Sequence, residues 1–212
     1  MSKFRDPVSG LTHLAGAGLG VIGWAYLLAI AAPRPGPPTI AVLIYGASLI
    51  LLYLASSAYH LFKVSDQARL ILRRLDHAMV PVFIAGTYTP FCVIGLGRAL
   101  GVPILLLIWG LAFAGLIKSI VWIHSPRWVT AGIYVLMGWV VVFVAYPLSK
   151  TIPSAGLFLL FAGGVSYSVG ALVYAKKWPD PWPPIFGFHE IWHLFVLAGS
   201  ACHYASVLTL FD

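Results

Sequence analysis

Phe188-His189-Glu190-Ile191-Trp192-His193-Leu194-Phe195 opens an apolar run that continues through Cys202 to Phe211. The run is long enough to cross a bilayer, since a spanning helix needs about 20 mostly apolar residues. On a helix, residues four apart lie one above the other. His189 and His193 therefore share a face at the start of the run, where two imidazoles can grip one metal ion.

The rest of the chain is apolar in the same way. Of its 212 residues 60% are hydrophobic and 9% charged, against roughly 25% charged in an ordinary soluble domain. Hydropathy divides the chain into seven spans, predicted at about 12–32, 39–61, 75–96, 102–123, 129–148, 155–175 and 188–210. The expected fold is an all-α integral membrane protein, with residues 1–212 forming one seven-helix domain. Pro33-Arg34-Pro35-Gly36-Pro37-Pro38 stops the first span sharply. A basic loop with Lys63, Arg69, Arg73 and Arg74 follows the second. Lys176-Lys177-Trp178-Pro179-Asp180-Pro181-Trp182-Pro183-Pro184 precedes the last, an aromatic linker suited to a membrane interface. The first run lacks a clear cleavage site and reads as a retained helix. Cys92 and Cys202 fall in different spans and read as buried thiols.

Sidedness follows from the thirteen Lys and Arg residues. Lys3 and Arg5 lie before the first span, Lys63, Arg69, Arg73 and Arg74 after the second, Lys118 and Arg127 after the fourth, and Lys176 and Lys177 after the sixth. Only Arg34, Arg98 and Lys150 fall on the other side. The positive-inside rule then predicts a cytoplasmic N-terminus and an outside C-terminus. The net charge of +7 is spread between apolar segments, which argues against a nucleic-acid partner.

This topology brings metal-capable side chains to one depth. His60 ends span two, Asp76 begins span three, and His189 and His193 begin span seven, all on the predicted cytoplasmic side. Three imidazoles plus water make a catalytic type of zinc site, and Zn2+ is the default ion for a non-redox tetrahedral site. Asp76 is placed to hold the water and take its proton. Ser56, one turn before His60, is placed to hydrogen-bond the water or a substrate oxygen, with Ser57 a poorer choice by angle. His203 lies ten residues beyond His193, about 15 Å along the helix, and reads as a core histidine. His13 and His77 are minor candidates for support, and His124 reads as a loop residue.

Ser56-Ser57-Ala58-Tyr59-His60, Leu75-Asp76-His77 and His189-Glu190-Ile191-Trp192-His193 resemble motifs of the hemolysin III branch of the progestin and adipoQ receptor family. Thr12-His13, Ala85-Gly86-Thr87-Tyr88-Thr89-Pro90 and Tyr134-Val135-Leu136-Met137-Gly138-Trp139 are similar to that bacterial branch too. The resemblance runs from Asp6 to about Val207. It implies seven helices, a cytoplasmic N-terminus, and one zinc near the inner leaflet of a bacterial cell membrane. His60, His189 and His193 would be the ligands, Asp76 would reach zinc through water, and Ser56 would be the serine of the S-x-x-x-H pattern. Adiponectin receptors, for which ceramidase activity is proposed, are implied relatives. The family is expected to carry Glu where this chain has Asp6, to which no role is assigned.

The leading expectation is a zinc-dependent hydrolase acting on a lipid amide or ester, with membrane lipids as solvent and as substrate. Its rivals are a zinc-stabilised sensor without enzymatic activity and a pore-forming cytolysin. A third rival is an intramembrane protease, because His189-Glu190-x-x-His193 matches H-E-x-x-H. Against the protease, Glu190 lies about 100° around the helix from His189, and Asp76 already supplies a carboxylate.

Overall fold

A computed structural model describes residues 4–183 and 185–212. Lys3 of the sidedness argument and Pro184 of the linker lie outside the described residues. Seven helices are long and apolar enough to cross a membrane: α1 Pro7–Ala31, α2 Pro37–Leu61, α3 Asp66–Gly95, α4 Arg98–Val121, α5 Arg127–Leu148, α6 Ser154–Lys176 and α7 Phe188–Leu208. Among the described residues there is no β-strand, only an isolated bridge between Trp182 and Phe186 in the linker.

Six of the seven helices begin earlier than hydropathy predicts, α1 and α3 by the most. α1 starts at Pro7 rather than near residue 12, because proline at the first helical position has no amide to leave unbonded and a φ already suited to the helix. α3 starts at Asp66 rather than near residue 75, with the Ser65 hydroxyl accepting from the Ala68 amide at 3.4 Å. Arg69, Arg73 and Arg74 therefore ride on two extra helical turns and not in a loop. Asp76 lies well inside α3 and has no capping duty to perform.

Two helices change pitch. After Pro90, α3 widens into a π-turn over Phe91–Gly95, with the Leu96 amide bonding the Phe91 carbonyl at 2.9 Å. Thr87 and Thr89 turn their hydroxyls back onto the Phe83 and Ala85 carbonyls at 2.9 and 2.8 Å. α5 tightens to a 3-10 helix over Val140–Val144. Tyr88 sets that change: its hydroxyl accepts from the Val141 amide at 2.7 Å and donates to the Gly138 carbonyl at 2.6 Å.

Helices α1, α2, α3, α5, α6 and α7 close into a ring, each packed on its neighbours, while α4 packs outside the ring on α3. Small residues permit close approach. A Cβ on Gly46 would overlap the Trp24 indole of α1, and one on Gly163 would overlap the His203 ring of α7. Large apolar side chains cover the outer surface, among them Leu106, Phe113, Leu136, Phe143 and Phe158. Exposed apolar area on this scale marks a surface made for lipid.

Candidate metal centre

The last turn of α2 and the first two turns of α7 meet at one end of the ring. His60, His189 and His193 each offer one ring nitrogen there, and the three nitrogens lie within 4.8 Å of one another. His189 Nε2 is 3.2 Å from His60 Nε2 and 3.2 Å from His193 Nε2. Zinc–nitrogen bonds of about 2.0–2.1 Å in a tetrahedron put ligand atoms roughly 3.3–3.4 Å apart. The two separations from His189 Nε2 are close to that edge.

The groups behind the rings fix which nitrogens carry hydrogen. His60 Nδ1 faces the Asp6 Oδ2 carboxylate oxygen at 3.2 Å. His193 Nδ1 faces the Ser9 backbone carbonyl at 3.1 Å. Both acceptors require an N–H at Nδ1, which leaves Nε2 of each neutral ring as a lone pair aimed at His189. One N–H on His189 Nε2 can satisfy only one of these lone pairs. A cation satisfies all three, so the donor set fits a divalent metal.

Asp6, Ser9 and their surroundings are the part that sequence reasoning missed. The Asp6 amide donates to the His60 carbonyl at 2.9 Å, which docks the segment before α1 against the end of α2. The Asp6 carboxyl is held below the ordinary carboxylate range by its hydrogen bond to His60, which outweighs its partial burial, with Arg5 adding to the effect. The Ser9 hydroxyl donates to Glu190 Oε1 at 2.6 Å, and Glu190 Oε2 accepts from the Gly187 amide at 2.8 Å. Glu190 thus ties α1 to α7 and closes the first turn of α7; its carboxylate is used away from the imidazole face. The available signal was a polar stripe, Asp6, Ser9 and His13, at three- and four-residue spacing on an otherwise apolar helix.

A cavity of about 160 Å³ opens beside the histidines and runs down the middle of the ring. His189 and His193 line its polar end together with Asp76, Ser56, His77 and His13. Asp76 is outside the close group of three nitrogens but faces the same space. Ser56 is buried at 2% exposure, and the Ser57 hydroxyl is buried without a partner. Farther along, the walls are mostly apolar, with Phe83, Ile84, Phe91, Val141 and Leu148. No residue of α4 contributes. His203 lines the far part and donates from Nε2 to the Leu160 carbonyl at 3.0 Å, a satisfied core histidine as expected. His77 is tied through its carbonyl to the Tyr134 hydroxyl at 2.9 Å, and His124 is exposed between α4 and α5.

Comparison with known proteins agrees with this architecture. Residues 1–204 match the family model described as Haemolysin-III related. The chain is 35% identical over 205 residues to a Hemolysin-3 homolog of Bacillus subtilis, covering 96% of this chain and 93% of that protein. It is 37% identical over 212 residues to Hemolysin-3 of Bacillus cereus, covering 98% and 93%. A more distant likeness, 26% over 171 residues, joins it to human monocyte to macrophage differentiation factor, covering 77% of this chain and 67% of that one.

Proposed function

The chain belongs to the haemolysin-III related family, and on that premise we propose that it is a zinc-dependent hydrolase of a lipid amide or ester, working inside the membrane. The observation that carries the reading is the three-imidazole cluster opening onto an apolar cavity, with a carboxylate and a serine on the same wall. Structural zinc sites use four protein ligands, whereas catalytic ones leave a position open. His60, His189 and His193 would hold the ion, which supplies a Lewis acid for the substrate carbonyl and makes water reactive at neutral pH.

The protein's own groups then have distinct tasks. Asp76 would accept the proton released as water adds to the carbonyl and hand it to the departing amine or alcohol as the C–N or C–O bond breaks. Ser56 donates a hydrogen bond to substrate oxygen. Phe83, Ile84 and Phe91 hold the alkyl chain and exclude bulk water. The basic residues favour a cytoplasmic N-terminus, so this end of the ring opens at the inner leaflet of the cell membrane, and the substrate enters laterally from that leaflet.

The rivals draw less from the geometry. In an H-E-x-x-H protease Glu190 would serve the metal water, yet its two oxygens are committed to Ser9 and Gly187. A pore needs a continuous polar lumen, whereas Phe83, Ile84, Phe91, Val141 and Leu148 interrupt the polar groups that line this cavity.

The test is fatty-acid release from a broad panel of amide- and ester-linked lipids by purified protein, with zinc content verified. Turnover is expected from the wild type. Asp76→Asn is expected to keep its zinc and lose at least about 100-fold in rate, the usual scale for a general base. Zinc-loaded wild type that releases no fatty acid from any lipid refutes the hydrolase. Full biological function in Asp76→Ala would favour the sensor.

A further inference from the structure

Asp6, just before α1, and Ser9 in its first turn are accounted for by the cluster, but His13, one turn beyond Ser9 on the same face, is not. His13 is 3% exposed. Its ring stacks on that of His193, with centroids 3.7 Å apart and planes 17° from parallel, and it stands edge-on to Tyr53 at 5.0 Å. It is not one of the three clustered ligands. Neither ring nitrogen has a hydrogen-bond partner; one comes toward the His193 backbone without reaching hydrogen-bond geometry. An unpaired buried polar group is costly, and a phenyl ring would fill the same slot without that cost.

The ring is held still by its two aromatic neighbours and lines the cavity beside His189 and His193. A neutral imidazole offers one donor and one acceptor. Beyond it the cavity is walled by Leu52, Val80, Phe83 and Ile84, which suit an alkyl chain. We infer that His13 hydrogen-bonds the polar group of an acyl lipid lodged in this cavity, and so fixes where that group sits relative to the metal cluster. The inference rests on the lipid reading of the site given above and adds to it a binding residue on a helix that carries none of the three ligands.

The experiment uses the full-length, zinc-loaded protein in detergent and measures capture of tritiated palmitic acid, with tritiated hexadecane as a probe lacking the polar group. His13→Phe keeps the ring volume and removes both polar atoms. It is expected to weaken palmitate binding about tenfold, as befits one hydrogen bond, and to leave hexadecane capture and zinc content unchanged. His13→Gln, which keeps a donor and an acceptor, is expected to stay within about threefold of wild type. His13→Ala serves as the second removal variant should the phenyl ring prevent folding. Palmitate binding at wild-type strength in the removal variant overturns the inference while leaving the lipid reading in place. Loss of zinc in both removal and conservative variants also overturns it, by making His13 a support of the cluster. A wild type that captures no palmitate sinks the lipid reading itself, and this inference with it.

Discussion

At His60 the decisive contact is on the side of the ring away from the cluster. The Asp6 carboxylate holds Nδ1 as the donor and so presents Nε2 as a lone pair. Groups behind a metal-binding histidine commonly contribute 10–100-fold in metal affinity. Asp6→Ala should therefore weaken zinc binding by about 10–100-fold in a chelator competition titration. Asp6→Glu should recover most of it, because the carboxylate is what the imidazole needs. Equal affinity in all three proteins would remove Asp6 from the centre. The metal pair His189 and His193 was legible because helical periodicity alone places them together. The Ser9 carbonyl was not, since a backbone acceptor leaves no trace in residue identity. Asp6 was visible only as an acid before a helix, with nothing to show that its partner lay on α2.

Among the elements, α5 is the clearest case of one helix shaped by another. Val140-Val141-Val142-Phe143-Val144 itself contains neither proline nor glycine; Pro147, three residues on, forecasts a freed Phe143 carbonyl but not the loss of the Val141 amide's helical bond. The cause is Tyr88 of α3, whose hydroxyl takes the Val141 amide that an α-helix would have bonded internally. Tyr88→Phe should leave that buried amide without a partner, at a cost of about 1–3 kcal/mol. Thermal unfolding in detergent should show the loss with helical content retained; an unchanged midpoint would mean that α5 tightens for its own reasons. The start of α3 misled for a different reason. Asp66 to Arg74 is too polar to register as a membrane span, yet it is a sound amphipathic helix once Ser65 caps it.

Across the whole molecule, the histidine cluster joins α2 to α7, and α1, packed between those two helices, backs it. Anything that binds only the folded state stabilises it, by about 2.7 kcal/mol at a hundred times its dissociation constant. Dialysis against a chelator should therefore lower the melting temperature by about 5–10 °C, with recovery on adding zinc back. The same removal in His60→Ala should change nothing. Sidedness can be read with an impermeant maleimide on intact cells. Gly97→Cys, between α3 and α4, should label from outside, and Gln67→Cys, at the start of α3, should label only after the membrane is opened. The reverse pattern would place the histidines at the outer leaflet and end the inner-leaflet mechanism. The seven spans were all legible, because lipid demands long apolar runs; the ring with α4 left outside was not, since hydropathy says nothing about which spans are neighbours.

His60 and His189 are 129 residues apart in the chain, and that spacing imposes an order on how the cluster is assembled. The ribosome delivers α1 and α2 early, with Asp6, Ser9 and one imidazole of the cluster, His60, in place, and the other two imidazoles of the cluster arrive only with the last span. Until then the nascent chain has one ligand and no grip on an ion. Capture of a metal by this cluster would thereby be a closing event in biogenesis, one that a prematurely terminated chain could never reach.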